Sequence, residues 1–81
     1  MLRIHVTNES GEERTWFVEP YGDEVALAPS EVLEIEVAGG PNAALRIDLR
    51  PAGAVVWIEG DGEVLLPSDL LRNGVSLWPS A

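Results

Sequence analysis

Residues 31–38 read Glu-Val-Leu-Glu-Ile-Glu-Val-Ala, and this alternation is the strongest structural signal in the chain. Leu33, Ile35 and Val37 occupy every second position, and glutamates stand between them. Because successive side chains of a β-strand point to opposite faces, the pattern predicts a strand with one buried face and one acidic, solvent-facing side.

The same period of two recurs on both sides of this segment. Further predicted strands comprise residues 2–7, 14–19, 25–27, 45–50, 54–59, 63–66 and 75–78. Turns rich in glycine, proline and asparagine separate them at intervals of about 8–12 residues, a spacing typical of sandwiches and small barrels. We therefore predict a single all-β domain over residues 1–81, an antiparallel barrel or two-sheet sandwich of about six to eight short strands.

Turn signals also predict which strands are neighbours. The polar turn at 8–13 predicts a hairpin of strands 2–7 and 14–19, and the turn at 39–42 leaves open a second hairpin, of strands 31–38 and 45–50. In the second hairpin two arginines would face two glutamates on the exposed side, namely Arg46 and Arg50 with Glu34 and Glu36. Such cross-strand pairs contribute about 0.2–1 kcal/mol each, so they explain these arginines without a function.

Two segments depart from simple alternation. Residues 54–59 (Ala-Val-Val-Trp-Ile-Glu) are apolar on both faces, which predicts a central strand. Residues 67–74 are the one segment with helix signals, since Ser68 can cap the amino end and Gly74 can stop the helix. A helical turn, a 3₁₀ turn and irregular structure all fit this short segment.

The two halves of the chain resemble each other. Leu-Arg-Ile-His-Val at 2–6 matches Leu-Arg-Ile-Asp-Leu at 45–49, and Pro-Ser precedes an acidic residue in both halves. One interpretation is a duplication in which residues 2–33 and 45–71 are related by a pseudo-two-fold axis. The other is convergence, because any two meanders alternate leucine, isoleucine and valine between similar turns.

Composition excludes several classes of function. Five basic residues against 14 Asp and Glu give a net charge of −9, which argues against direct nucleic-acid or anionic-membrane binding. The absence of cysteine excludes thiolate sites, and a single histidine excludes the common multi-histidine metal centres. His5 has no nucleophile at a recognisable spacing, and we expect it to be structural or exposed. We predict no catalytic residue, metal or cofactor, and therefore no enzyme.

Location is predicted from what the chain lacks. Residues 1–7 alternate rather than forming an apolar run, and no stretch approaches the roughly 20 apolar residues of a membrane span. We expect a cytoplasmic protein that binds no membrane. The exclusive use of arginine as the basic residue, with many alanines, glycines and prolines, is typical of a bacterial or phage sequence of high GC content.

The aromatic residues are the candidates for binding. Trp57 lies in the most apolar predicted strand, and we expect it in the core. Trp16 and Phe17 are adjacent, so they point to opposite faces of a strand and one of them leaves the core. Together with Tyr21 and Trp78 they form the predicted interaction surface, although aromatic side chains can also cap the open ends of a barrel.

The sequence thus favours a non-catalytic protein-interaction or self-assembly module, whose partner is another protein or a second copy of the chain. One alternative is an acidic inhibitor that imitates nucleic acid, with Glu31, Glu34 and Glu36 as its carboxylate row. The other is a β module that binds a small ligand or a carbohydrate.

Three turn motifs carry a resemblance to known proteins. They are Asn8 after the first strand, Glu19-Pro20-Tyr21-Gly22 after the second, and Pro29-Ser30 before the acidic strand. Residues 6–36 thereby resemble a group of short, uncharacterised bacterial proteins with a Glu-Pro-Trp-Gly motif, in which tryptophan replaces Tyr21 and glycine replaces Ser30. The resemblance implies a small all-β fold and no particular activity.

Overall fold

The computed structural model describes residues 2–38 and 42–78, and these residues form nine β-strands and no helix. The strands are β1 (Leu2–Thr7), β2 (Arg14–Val18), β3 (Asp23–Leu27), β4 (Val32–Val37), β5 (Ala43–Arg50), β6 (Gly53–Gly60), β7 (Glu63–Val64), β8 (Pro67–Arg72) and β9 (Val75–Ser76). In this part of the chain no helix is long and apolar enough to cross a membrane.

The strands form two sheets that are not closed into a barrel. One sheet has the order β1-β4-β8-β9, and the other has the order β3-β2-β6-β5, with β7 added beside β6. Neighbours are antiparallel except β2 and β6, which run parallel. The predicted all-β fold is confirmed, in its two-sheet form and with two very short strands among the nine.

The core lies between the two sheets. It consists of nine buried apolar side chains from β2, β3, β4, β6 and β8, namely Val18, Val25, Leu27, Leu33, Ile35, Val37, Val56, Ile58 and Leu70. The three from β4 are fully buried, as their alternation predicts. Each side chain of this size stabilises the fold by about 1.5–3 kcal/mol relative to an exposed position.

The predicted first hairpin is wrong, and the second hairpin does not form either. β1 pairs with β4 and β2 pairs with β3 and β6, so the first two strands lie in different sheets. β4 and β5 also lie in different sheets. The charges on β4 are therefore met by β1, where Arg3 Nη2 lies 3.1 Å from Glu36 Oε1, rather than by Arg46 and Arg50. Alternation specifies the buried face of a strand but not its neighbour.

The segment with helix signals is a strand instead. Residues 67–72 form β8, which pairs with β4 from Leu33 to Val37 and contributes Leu70 to the core. Asn73 and Gly74 then turn the chain into β9 with φ of 52° and 82°. Positive φ at both positions is the conformation of a type I′ hairpin turn, for which Asn-Gly is the preferred sequence.

β6 is central, as its apolar composition predicts, because β2 and β5 lie on its two sides.

The prediction that Trp57 belongs to the core is wrong. Val56 and Ile58 are buried on the inner face, and Trp57 between them points to the outer face, where it is half-buried. The Arg46 guanidinium lies 5.4 Å from the centre of its ring and covers it by a cation–π contact.

The structure does not support the duplication by a pseudo-two-fold axis. β1 and its proposed counterpart β5 lie in different sheets. β1 pairs with β4, but β5 does not pair with β8, the counterpart of β4. Residues 2–33 and 45–71 therefore cannot superpose strand for strand, and their similarity reflects ordinary alternation and turns.

Glu31 closes the corner between β3 and β4. Its carboxylate accepts hydrogen bonds from the Ala28 backbone N–H and from Asn73 Nδ2, each at 2.8 Å. These two bonds, together with the nearby Arg72 guanidinium, hold the pKa of Glu31 below its ordinary value, although partial desolvation acts in the opposite direction.

The lowered pKa predicts a pH dependence of stability. A carboxyl whose pKa is lower in the folded state stabilises the fold fully above its unfolded pKa, and this contribution is lost as pH falls through the folded value. We expect the advantage of the wild type over Glu31→Gln in the free energy of unfolding to shrink between about pH 6 and about pH 3. Urea unfolding of both proteins measures it, and a pH-independent difference would contradict the prediction.

Candidate interaction surface

The four aromatic residues predicted to form an interaction surface lie in several places. Trp16 is on the inner side of β2, half-buried against the core, and Phe17 is half-buried on the outer side. This confirms that the adjacent pair points to opposite faces. Tyr21, in the β2–β3 turn, is 60% exposed and meets Trp78 edge to face at 6.3 Å. The structure therefore brings together only Tyr21 and Trp78.

The most exposed apolar row lies elsewhere, on β5. Leu45, Ile47 and Leu49 are 45%, 43% and 81% exposed. In the register of the sheet they stand opposite three buried residues of β6, namely Ile58, Val56 and Ala54. Cross-strand partners point to the same face, so the row lies on the core side of the sheet, at its border, where the second sheet leaves it uncovered.

The hydrogen-bonding edge of β5 follows from the pairing of β6. The carbonyls of Ala52 and Val56 accept hydrogen bonds from the N–H groups of Thr15 in β2 and of Glu19 directly after it. The backbone groups of even-numbered β6 residues therefore point toward β2, and those of odd-numbered residues point toward β5. The odd-numbered β6 residues stand opposite Ala44, Arg46, Asp48 and Arg50. The N–H and C=O groups of Leu45, Ile47 and Leu49 therefore point away from β6, along an edge with no strand partner in residues 2–38 and 42–78.

The other sheet borders expose fewer large apolar side chains than β5. β3 carries Asp23 and Glu24, and β9 has only two residues. β1 has one exposed apolar residue, Leu2, at 36%. Proteins commonly protect edge strands by shortness, proline, lysine or bulges, because unpaired backbone groups attract further strands. β5 is eight residues long and has neither proline nor lysine.

An open groove begins where β5 ends. Its volume is about 390 Å³, and its walls include Val6, Trp16, Ala54 and Leu49 together with Arg14 and Arg50. The groove separates the end of β1 from the end of β5, so the apolar row on β5 continues between the sheets. Trp16 thus contributes to the same exposed region as Leu49.

The acidic row on β4 is largely covered by β1. Arg3 contacts both Glu34 and Glu36, at 3.8 Å and 3.1 Å, and His5 Nε2 lies 3.5 Å from Glu34. Both glutamates are only partly exposed as a result. Within the described ranges no three His, Asp or Glu side chains are grouped closely enough to hold a metal ion.

The sequence predicts the strand at residues 45–50 but does not identify it as an interaction surface, because its alternation is the same as that of a strand with one buried face. The sequence contains one sign of a strand that can pair with another strand: the charges of Arg46, Asp48 and Arg50 alternate along its outer side. Comparisons of the chain with protein families, with curated proteins and with solved structures give no match. Function is therefore inferred from the exposed surface itself.

Proposed function

We propose that the protein is a non-catalytic interaction module that binds a protein partner by adding a β-strand along β5. The main support for the proposal is that exposed apolar side chains and outward-pointing backbone hydrogen-bonding groups occur on the same strand. Leu45, Ile47 and Leu49 expose apolar side chains, and the same residues direct N–H and C=O groups outward, where no strand of the described part of the chain pairs with them. In strand addition, backbone hydrogen bonds supply affinity and alternate side chains supply specificity.

The size of the strand sets the expected strength of binding. An added strand of about six to eight residues forms an interface at the small end of the range for specific complexes. Each backbone hydrogen bond contributes about 0.5–1.5 kcal/mol net, and association costs several kcal/mol in lost freedom of motion. We therefore expect a reversible complex with a Kd between about 1 µM and about 1 mM.

The acidic-inhibitor alternative has less support. A mimic of nucleic acid needs free carboxylates to meet a basic partner, and Arg3 and His5 lie across two carboxylates of the β4 row. Glu31 uses its carboxylate within the β3–β4 corner. The ligand-binding alternative is supported by the groove near Leu49. Because this groove is open, it accepts a side chain of a protein partner as well as a small molecule, so it does not favour the alternative over strand addition.

A peptide titration tests the proposal. The probe is the synthetic peptide Ala-Ala-Leu-Arg-Ile-Asp-Leu-Arg, the sequence of residues 43–50. We expect saturable changes in amide chemical shifts at Leu45, Ile47 and Leu49, because these groups would acquire hydrogen-bond partners. Absence of binding up to millimolar peptide, or changes centred on another strand, would contradict strand addition at β5.

Two proline variants make the titration specific. Ile47→Pro removes an outward N–H from β5 without removing a bond to β6, so binding should be lost while the fold persists. His5→Pro is the matched control on β1. The Asn8 N–H donates to the Glu31 carbonyl, so the even-numbered residues of β1 direct their backbone groups toward β4. The N–H of His5, an odd-numbered residue, therefore points away from β4, to the free side of β1. This variant should bind the peptide as the wild type does, and equal loss in both variants would contradict the assignment to β5.

A further inference from the structure

We infer that the partner strand is β5 of a second copy of this chain, paired antiparallel with Ile47 opposite Ile47. The inference rests on the proposed strand addition and names its partner. In this register Leu45 lies opposite Leu49 of the second copy, and Arg46 lies opposite its Asp48. The strand is then complementary to itself on both faces.

Hydrogen-bond geometry restricts the possible registers. Only the odd-numbered residues of β5 direct their backbone groups to the free edge. An antiparallel pair must therefore place odd-numbered residues opposite odd-numbered residues. A shift of the pairing by a single position places them opposite even-numbered residues, whose backbone groups already face β6, and the ladder cannot form.

Charge selects among the registers that remain. With Ile47 opposite Ile47, two Arg46–Asp48 pairs form on the outer face, where like-charge pairs would be destabilising. Moving the centre of the pairing to Arg46 places two arginines opposite each other. Moving it to Asp48 places two aspartates opposite each other and Arg46 opposite Arg50. Of these three registers, only the one centred on Ile47 avoids like-charge pairs while it keeps the apolar row paired.

The overall charge of the protein also favours this strand for self-association. Two chains of net charge −9 repel each other across most of their surfaces. β5 carries two arginines and one aspartate, whereas β3, at the opposite border of the same sheet, begins with Asp23 and Glu24. β5 is therefore a border along which two copies approach with little local repulsion.

The product would be a dimer with one continuous sheet. The β3-β2-β6-β5 order of one copy would be followed by the same strands of the second copy in reverse. The apolar rows on the two β5 strands would lie side by side, so that each Leu49 is covered in part by Leu45 of the other copy. This contact covers the large apolar side chain that is most exposed among the described residues, Leu49 at 81%.

Charge exchange across the dimer axis tests the inference. Arg46→Asp places two aspartate pairs across the axis, and Asp48→Arg places two arginine pairs there. Each variant alone should have a Kd at least about tenfold weaker than the wild type. An equimolar mixture should associate again, because the two aspartates of the first variant then face the two arginines of the second. Light scattering after size exclusion measures the mass, and circular dichroism verifies that each variant is folded.

Repulsion between the net charges of two chains, acting alone, predicts a different effect of these variants on association. Asp48→Arg makes the chain less negative, so if only net charge mattered this variant would associate more strongly than the wild type. The inferred register predicts weaker association. Stronger association of Asp48→Arg, or no recovery in the mixture, would overturn the register.

The mass of the wild type separates the two proposals. A concentration-dependent increase from 8.8 kDa toward twice that mass is the expected result. A wild type that stays monomeric up to millimolar concentration overturns the inference of a second copy. If this monomer nevertheless binds the β5 peptide at β5, strand addition stands, and the partner is another protein. If it binds no peptide, the proposed function fails as well.

Discussion

Gly53→Ala is expected to lower the free energy of unfolding by about 3 kcal/mol, because the parallel contact of β6 with β2 leaves no room for a side chain. A Cβ atom at this position would overlap the backbone carbonyl of Thr15. Gly53 stands opposite Thr15 in the strand register, and the N–H of Thr15 donates to the Ala52 carbonyl beside it. Backbone atoms cannot turn away as a flexible side chain can, so β2 and β6 must separate.

Chemical denaturation of Gly53→Ala and of a control, Gly11→Ala, measures the effect. A Cβ atom at Gly11 meets no atom within 4 Å, so the control should lie within about 0.5 kcal/mol of the wild type. An equal loss of stability in both variants would mean that the close approach of β6 to β2 is not what glycine provides at position 53.

Asn8→Asp is expected to destabilise the fold by about 3 kcal/mol at neutral pH. Asn8 is the one buried polar residue among those described. Its Nδ2 donates to the carbonyls of Glu12 and Leu27 at 2.8 Å and 2.9 Å, and its Oδ1 accepts from the backbone and hydroxyl of Ser10. A carboxylate of the same shape has no proton for the two carbonyls, and it adds a charge in a buried position.

The pH dependence and a surface control identify the cause. A protonated aspartic acid can donate one of the lost bonds, so the deficit of Asn8→Asp should decrease as pH falls below the pKa of the new carboxyl. Asn42→Asp makes the same substitution at an exposed position, where Nδ2 donates to Asp61 Oδ1 at 3.0 Å, and should cost less than about 1 kcal/mol. A deficit at position 8 no larger than that at position 42 would refute the role given to the buried amide.

Side-chain alternation predicts burial well but not pairing. The three apolar residues of β4 are fully buried, as expected from their spacing. The partner of this strand is β1, whose residue Ile4 stands opposite Ile35 in the register. No local feature of the sequence indicates that two strands so distant in the chain are neighbours, because any strand with one apolar face can pair with any other such strand. The choice is made by the packing of the whole core.

Local signals were also overruled by tertiary contacts. Ser68 has the sequence position of a helix cap, but its hydroxyl donates to the Glu36 carbonyl of the neighbouring strand at 3.0 Å. Asp69 likewise accepts a bond from the Ser76 hydroxyl at 2.7 Å, across the β8–β9 hairpin. The Asn-Gly turn was visible in the sequence, and it identifies a hairpin once the preceding segment is known to be a strand.

The candidate site was less predictable than the fold. Aromatic residues attract attention as binding anchors, yet Trp16 packs against the core and Phe17 lies on the opposite face of the sheet. Leu45, Ile47 and Leu49 have the spacing of core residues, and they point to the core side. They are exposed because β5 lies at the border of one sheet beyond the cover of the other. This property belongs to the assembled sandwich and has no counterpart in the local sequence.

Hydrogen exchange of the β5 amides tests strand addition at β5, because alternate residues of this strand serve as internal controls. The amides of Arg46 and Asp48 face β6 and should be protected at every protein concentration. We expect the amides of Leu45, Ile47 and Leu49 to exchange rapidly in dilute protein and to become protected as concentration rises or as the β5 peptide is added. Rapid exchange of these three amides under all of these conditions would contradict strand addition at β5.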